Sequence, residues 1–190
     1  MEEFIEDIEN AIKILKQGGI ILYPTDTIWG IGCDATNEKA VDKIYQIKKR
    51  ADNNSMLILV DSVDRVYQYV NKVPLIAVDI AEIAGRPTTI IYPDAINLPQ
   101  NIIAQDNSIG IRIAEDKFCQ KLIKKLNRPI VSTSANISNQ RSPQNFSEIS
   151  EEIKNAVDYI VKWKQNDKTK AKASSIIKIG ISGEVKIIRE

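Results

Sequence analysis

Ser108-Ile109-Gly110-Ile111-Arg112-Ile113 alternates without a break. Successive side chains of an extended chain point to opposite faces. The three isoleucines therefore share one face, while Ser108, Gly110 and Arg112 share the other. The stretch predicts a strand with one apolar face turned to a core. An arginine between two isoleucines is costly if buried alone. Either it lies on a solvated sheet face or it meets an anion. Gly110 on the same face would let a ligand approach the backbone closely. Outward from this strand the chain is mixed. Phe4, Ile8, Ala11 and Leu15 fall on one helical face, and Gly18-Gly19 ends that helix. Ile20 to Tyr23 predicts a buried strand stopped by Pro24. Thr36 or Asn37 can cap a helix bearing Val41, Ile44 and Ile47. Strands are predicted over Met56 to Val60 and Thr88 to Tyr92, with helices over Ser62 to Val70 and Leu75 to Ala84 between them. Phe118, Cys119, Leu122, Ile123 and Leu126 make a helix closed near Asn127 and Pro129. Ile130-Val131 then begins a strand. A polar loop from Ser138 to Ser147 and a short helix over Ile149 to Ile153 follow. The last strands are predicted over Val157 to Val161, Ser175 to Ile179 and Val185 to Ile188. Strands and helices without regular alternation predict an α+β fold, a single domain over residues 1–190 with a twisted open sheet flanked by helices.

Composition narrows the chemistry. The chain has 190 residues, 43% hydrophobic and 27% charged, enough for a packed core. A net charge of +1 argues against a strongly cationic nucleic-acid binder but allows a local basic patch. Histidine is absent, which excludes a His base, a Ser-His-Asp triad and a His-bound zinc. Cys33 and Cys119 cannot build a disulfide framework, so a reducing cytoplasm is expected. The acidic start, Met1 to Asn10, lacks a signal-peptide pattern, and no apolar run reaches membrane-spanning length.

Candidate chemistry sits at strand exits. In Tyr23-Pro24-Thr25-Asp26-Thr27-Ile28-Trp29-Gly30 a strand stops at proline and presents two hydroxyls and a carboxylate. They suit a small polar ligand, or they are an ordinary self-capping turn. Lys48-Lys49-Arg50, followed by Asn53-Asn54-Ser55, ends a helix. Cations there complement the helix dipole; alternatively Arg50 and Lys48 clamp a phosphate, the first as a fork and the second as a point charge. Ser132-Thr133-Ser134-Ala135-Asn136 follows a buried strand, and alternation places Ser132, Ser134 and Asn136 on one face. The same letters also fit a plain polar turn. The loop Lys162 to Ala173 carries five lysines beside Trp163, which reads as solvated surface or an RNA-tracking loop. Neither a P-loop nor a Rossmann glycine pattern occurs.

Taken together and in order, these pieces resemble the YrdC-like (TsaC) family of threonylcarbamoyl-AMP synthases. The anchors are Gly18-Gly19, Tyr23-Pro24-Thr25-Asp26-Thr27, Gly30-Ile31-Gly32-Cys33-Asp34, Lys48-x-Arg50 and Gly110-Ile111-Arg112-Ile113. Ser132-Thr133-Ser134-Ala135-Asn136, Ser174-Ser175-Ile176-Ile177 and Arg189 complete the set. The resemblance spans essentially the whole chain and fits the short form of the family. Ala51, Asn54-Ser55-Met56, Gly85-Arg86-Pro87-Thr88-Thr89, Ala114 and Ser138-Asn139 depart from the family pattern, most of them touching loop rigidity rather than contact groups.

The resemblance implies the YrdC-like fold and an enzyme that uses ATP, bicarbonate and L-threonine. Arg50, Asn54, Ser108, Ser134, Ser142 and Arg189 are the implied ATP contacts. Lys48 and Asn136 complete the implied phosphate clamp, which with Arg50 and Ser134 forms the catalytic set. Thr27, Arg112, Ser132 and Ser174 are the implied threonine site. Mg²⁺ is implied with ATP, without dedicated protein ligands. tRNA and the downstream threonylcarbamoyl-transferase proteins are the implied further partners. Two rival readings stand beside this one: a non-catalytic RNA-binding YrdC-like module, and a carbamoyl-adenylate enzyme acting on a different amine.

Overall fold

Residues 4–49 and 56–190 are described by the structure, a computed structural model. Their elements are α1 (Ile5–Lys16), β1 (Ile21–Tyr23), β2 (Gly30–Gly32), α2 (Glu38–Lys48), β3 (Leu57–Val60), α3 (Val63–Val66), α4 (Leu75–Ile83) and β4 (Thr88–Tyr92). They continue with β5 (Ile109–Ile113), α5 (Lys117–Leu126), β6 (Ile130–Ser134), α6 (Glu151–Ala156), β7 (Tyr159–Ile160), β8 (Ser175–Ile179) and β9 (Val185–Arg189). Local chemistry sets the ends. Gly18, at φ +73°, turns the chain out of α1. The Asn37 side chain accepts from the Ala40 N–H to start α2, and Asn127 in the left-handed region closes α5.

The strands form one mixed sheet in the order β7-β1-β2-β6-β3-β5-β4-β8-β9. β5 lies near the centre, parallel to β3 and antiparallel to β4. Alternation divides the core between the two faces. Ile31, Ile58, Val60, Ile90, Ile109, Ile111 and Val131 pack with Val41 and Ile44 of α2. Ile21, Tyr23, Leu59 and Ile130 face the other way, against Phe4, Ile8 and Leu15 and against Phe118 and Leu122 of α5. On that second face α1 and α5 cover β1 and the near ends of β3 and β6. The rest of the face carries Leu57, Gly110, Arg112 and Ser132, which the strand registers place side by side. It is the floor of the cleft described below.

Three sequence expectations need correction. The helix expected over Ser62 to Val70 is only Val63–Val66, because Tyr69 and Val70 turn out to pair with the segment around Ala95. The helix expected at Ile149 begins at Glu151, capped by Ser150, and the strand expected over Val157 to Val161 is Tyr159–Ile160. β2 had no sequence signal, since a single isoleucine between two glycines has no periodicity to read.

The lysine-rich loop is anchored at its start. Asp7, 4% exposed, accepts hydrogen bonds from the Tyr159 hydroxyl (2.6 Å) and from the backbone N–H groups of Lys162 (3.1 Å) and Trp163 (2.8 Å). The Trp163 ring meets Phe4 at 4.8 Å and Phe118 at 5.7 Å between centroids. The half-buried indole packs into this aromatic cluster, with the Lys164 ammonium 4.4 Å from its ring centroid. Asp7→Ala would strand these donors. At roughly 1–3 kcal/mol for an unsatisfied buried group, the variant should lose about 3 kcal/mol in urea unfolding. The same contact gives a pH signature. Burial and the bond to Asp7 push the Tyr159 phenol up to about 12. Its folded-state pKa lies above its unfolded value, so this contribution is complete below pH ~10 and is lost as the pH rises towards ~12. Tyr159→Phe should flatten that alkaline limb.

Candidate active site

A cleft of about 260 Å³ opens on the uncovered half of the sheet. Its floor is made by alternate residues of neighbouring strands: Gly30 of β2, Leu57 of β3, Thr89 and Ile91 of β4, Gly110 and Arg112 of β5, Ser132 and Ser134 of β6, and Ile176 of β8. Trp29, Met56, Ser142, Ala173, Ser174 and Arg189 form the walls. Gly110 fits the sequence reading. A Cβ there would stand over the floor, 3.3 Å from the Leu57 Cβ and 3.5 Å from the Thr89 methyl. Its absence keeps the cleft deep.

Arg112 is 3% exposed and organises one end. Its Nη1 donates to Thr27 Oγ1 at 2.8 Å, and its Nη2 lies 3.1 Å from Asp26 Oδ1. Asp26 in turn accepts from the Glu115 N–H at 3.0 Å, which ties the β1–β2 loop to the exit of β5. A guanidinium has five N–H groups, so donor capacity remains beyond these two partners. The Asp26 carboxylate offsets its charge. Arg189 is different. Its Nε and Nη2 donate to the Ser174 carbonyl at 3.0 and 2.7 Å, a partner without charge. Burial and the Arg112 charge hold its pKa below the usual arginine value. Both effects disfavour its positive charge, and a bound anion would relieve the second. The cleft thus combines a charge-neutralised arginine beside threonine hydroxyls with an arginine whose charge has no acidic neighbour among these contacts. The first suits a zwitterion and the second a phosphate. Between them, Thr89 and Ser174 share a hydrogen bond at 2.8 Å.

The cleft brings together Thr27, Arg112, Ser132, Ser134, Ser142, Ser174 and Arg189 of the residues singled out in the sequence. Lys48, Asn136 and Ser108 are not in its lining. The Lys48 ammonium, on a side chain 2% exposed, donates to the carbonyls of Ser134 and Asn136, both at 2.7 Å. The Asn136 amide donates to the carbonyls of Ile137 and Gln140 and so braces the turn after β6. Ser108 donates to Asp106 at the entrance of β5. Arg50 and Asn54 lie outside the described residues. Thr89, Trp29 and Met56 line the cleft without having been singled out. Only Thr89 had a readable signal, as a hydroxyl within a predicted strand. No group of three or more His, Cys, Asp or Glu side chains among the described residues is placed to hold a metal.

A mixed sheet with one face half bare, and two arginines set among hydroxyls on that bare half, defines a cleft protein for small anionic and zwitterionic ligands. The chain belongs to the Sua5/YciO/YrdC family, described as "Telomere recombination", which matches residues 13–190. It is 30% identical over 181 residues to the threonylcarbamoyl-AMP synthase of Pseudoalteromonas translucida, covering 94% of this chain and 95% of that one. It is 37% identical over 181 residues to a Methanocaldococcus jannaschii protein provisionally given the same name, covering 94% and 83%. Among solved structures, a doubly substituted P. abyssi Sua5 superposes with a TM-score of 0.82 at 25% identity. That match covers 91% of this chain but 53% of the other, so the chain spans about half the length of that protein. The expected broad twisted sheet flanked by helices is the fold observed.

Proposed function

We propose that this chain is a threonylcarbamoyl-AMP synthase, which joins ATP, bicarbonate and L-threonine to give threonylcarbamoyl-AMP and pyrophosphate. The product is the activated donor for N6-threonylcarbamoyladenosine in tRNA. The observation that carries the reading is the pairing of Arg112, backed by Asp26 and Thr27, with Arg189 across one hydroxyl-lined cleft. The names of the relatives support threonylcarbamoyl-AMP as the product. Threonine and bicarbonate first condense to a carbamate, with loss of water and a proton. A carbamate oxygen then attacks the α-phosphorus, an O–P bond forms, and the bond to the departing pyrophosphate breaks. The attacking group is already an anion, so a chain without histidine loses nothing at this step. Its task is positioning and charge compensation. Arg112 and Thr27 receive the amino acid, with Ser132 and Ser174 beside them. Arg189, Ser134 and Ser142 face the nucleotide; Arg50 and Asn54, the other expected ATP contacts, lie outside the described residues. Lys48 and Asn136 hold the Ser134 turn in place. Magnesium enters as the counter-ion of ATP.

The test is pyrophosphate release with each substrate omitted in turn. Release should require threonine, bicarbonate and magnesium, and should need no RNA. Alanine should be discriminated strongly if the site hydrogen-bonds the threonine hydroxyl. Equal rates with serine, alanine and threonine would remove the substrate assignment. Replacing Lys162, Lys164, Lys168, Lys170 and Lys172 by glutamine separates the loop readings. Ala173 and Ser174 at the loop's end form part of the cleft wall. A lid predicts slower release without RNA, whereas an RNA surface predicts normal release and weaker, less salt-dependent tRNA binding.

A further inference from the structure

The hydroxyls of Thr25 and Thr27 lie 2.9 Å apart, and their surroundings fix which one donates. Thr25 Oγ1 is 2.9 Å from the Ile28 carbonyl, which can only accept. Its single proton is therefore committed there. The same oxygen accepts from the Thr27 N–H at 3.0 Å. In the contact between the two hydroxyls Thr25 must then accept and Thr27 must donate. With one donor and two acceptor positions used, the Thr25 hydroxyl is full. Thr27 has given its proton away from the cleft and accepts once, from Arg112 Nη1 at 2.8 Å. What it presents to the cleft is one lone pair and no proton.

We propose that Thr25, 6% exposed and absent from the cleft lining, is a positioning residue for amino-acid recognition: it makes Thr27 a one-way acceptor for the substrate's amino N–H. The inference rests on the synthase reading and names a residue that reading does not use. Arg112 supplies only donors, and Thr27 beside it supplies only an acceptor. A carboxylate and an amine one carbon apart meet both. A Thr27 free to rotate would offer its proton to the amine and lose that match.

Thr25→Val removes the acceptor, and Thr25→Ser keeps it. Steady-state pyrophosphate release should show the threonine KM of Thr25→Val raised ~10-fold or more, the size of one well-made hydrogen bond to a charged or polar partner. The ATP KM should stay within about twofold, and Thr25→Ser should remain near wild type. Because Thr25 acts through the Thr27 hydroxyl, Thr25→Val/Thr27→Val should be no worse than Thr27→Val alone. A double variant showing the product of the two single losses would overturn the proposal, since Thr25 would then act by holding the loop. So would an unchanged threonine KM in Thr25→Val, or an equal rise in both KM values. If the wild-type protein itself shows no threonine-dependent release, the synthase reading fails and the proposal falls with it. Wild-type activity with any of the other adverse results overturns the proposal alone.

Discussion

Arg112→Met should lower threonine-dependent pyrophosphate release by ~100-fold or more, and it should also destabilise the fold. The two effects have separate causes. On the functional side, the variant loses the guanidinium donors at the amino-acid end of the cleft. One charge-assisted contact is worth ~1.5–3 kcal/mol, and more than one is at stake. On the folding side, Arg112 and Asp26 are 3% and 7% exposed in their side chains. Removing one partner leaves the other as an uncompensated buried charge, which typically costs ~3–5 kcal/mol. The pair Arg112→Met/Asp26→Asn should therefore regain much of the stability and none of the activity. Arg112→Lys keeps a charge but cannot reach Thr27 and Asp26 together as a planar fork, so it should rescue stability better than rate. Urea unfolding at constant m-value, run beside steady-state kinetics, reads both. Activity within threefold of wild type in Arg112→Met would return the arginine to a purely structural role.

Lys48→Met should be the second severe variant. The Lys48 ammonium donates to the Ser134 and Asn136 carbonyls, and the Lys48 carbonyl accepts from the Ser138 N–H at 2.9 Å. Lysine thus stitches the end of α2 to the turn that follows β6. Losing the ammonium takes a donor from the buried Asn136 carbonyl, while the Ser134 carbonyl keeps the Asn136 N–H, for a cost of about 1–3 kcal/mol. Ser134 is on the cleft floor, so the ATP KM should rise ~10-fold while the threonine KM changes less. The outcome also separates two roles for this side chain. A lysine that clamps phosphate directly predicts a large loss of ATP affinity with little change in unfolding midpoint. A lysine that acts through the Ser134 turn predicts both changes together.

Much of this architecture was legible in the sequence because it rests on short-range periodicity. The alternation at Ser108 to Ile113 gave the central strand, its core face and the place of Gly110 on the opposite face. The apolar spacing of α1 and α5 was equally plain. The missed strand Gly30–Gly32 is held by its neighbours rather than by its own composition: Gly30 pairs with Ser134 and Ile31 with Thr133. At the site, the sequence named the arginines and hydroxyls but not their relations. That Asp26 backs Arg112 depends on a loop meeting a strand 86 positions away, and no local pattern encodes it. Similarly, Lys48-x-Arg50 reads as one basic cluster. Yet the Lys48 ammonium turns to backbone carbonyls contributed by another strand. Thr25 and Thr27 read as equivalent hydroxyls until the Ile28 carbonyl breaks their symmetry.

On the proposed reading, a carbamate made from threonine captures the adenylyl group of ATP in this cleft. The direct measurement is mass spectrometry of a reaction containing ATP, magnesium, L-threonine and ¹³C-bicarbonate, with Arg112→Met protein as the control. The wild-type protein should form, without RNA, a new adenylate that contains threonine, AMP and the ¹³C carbon, and the variant should form far less of it. ATP cleavage that ignores bicarbonate, or an adenylate without the label, would contradict this reading.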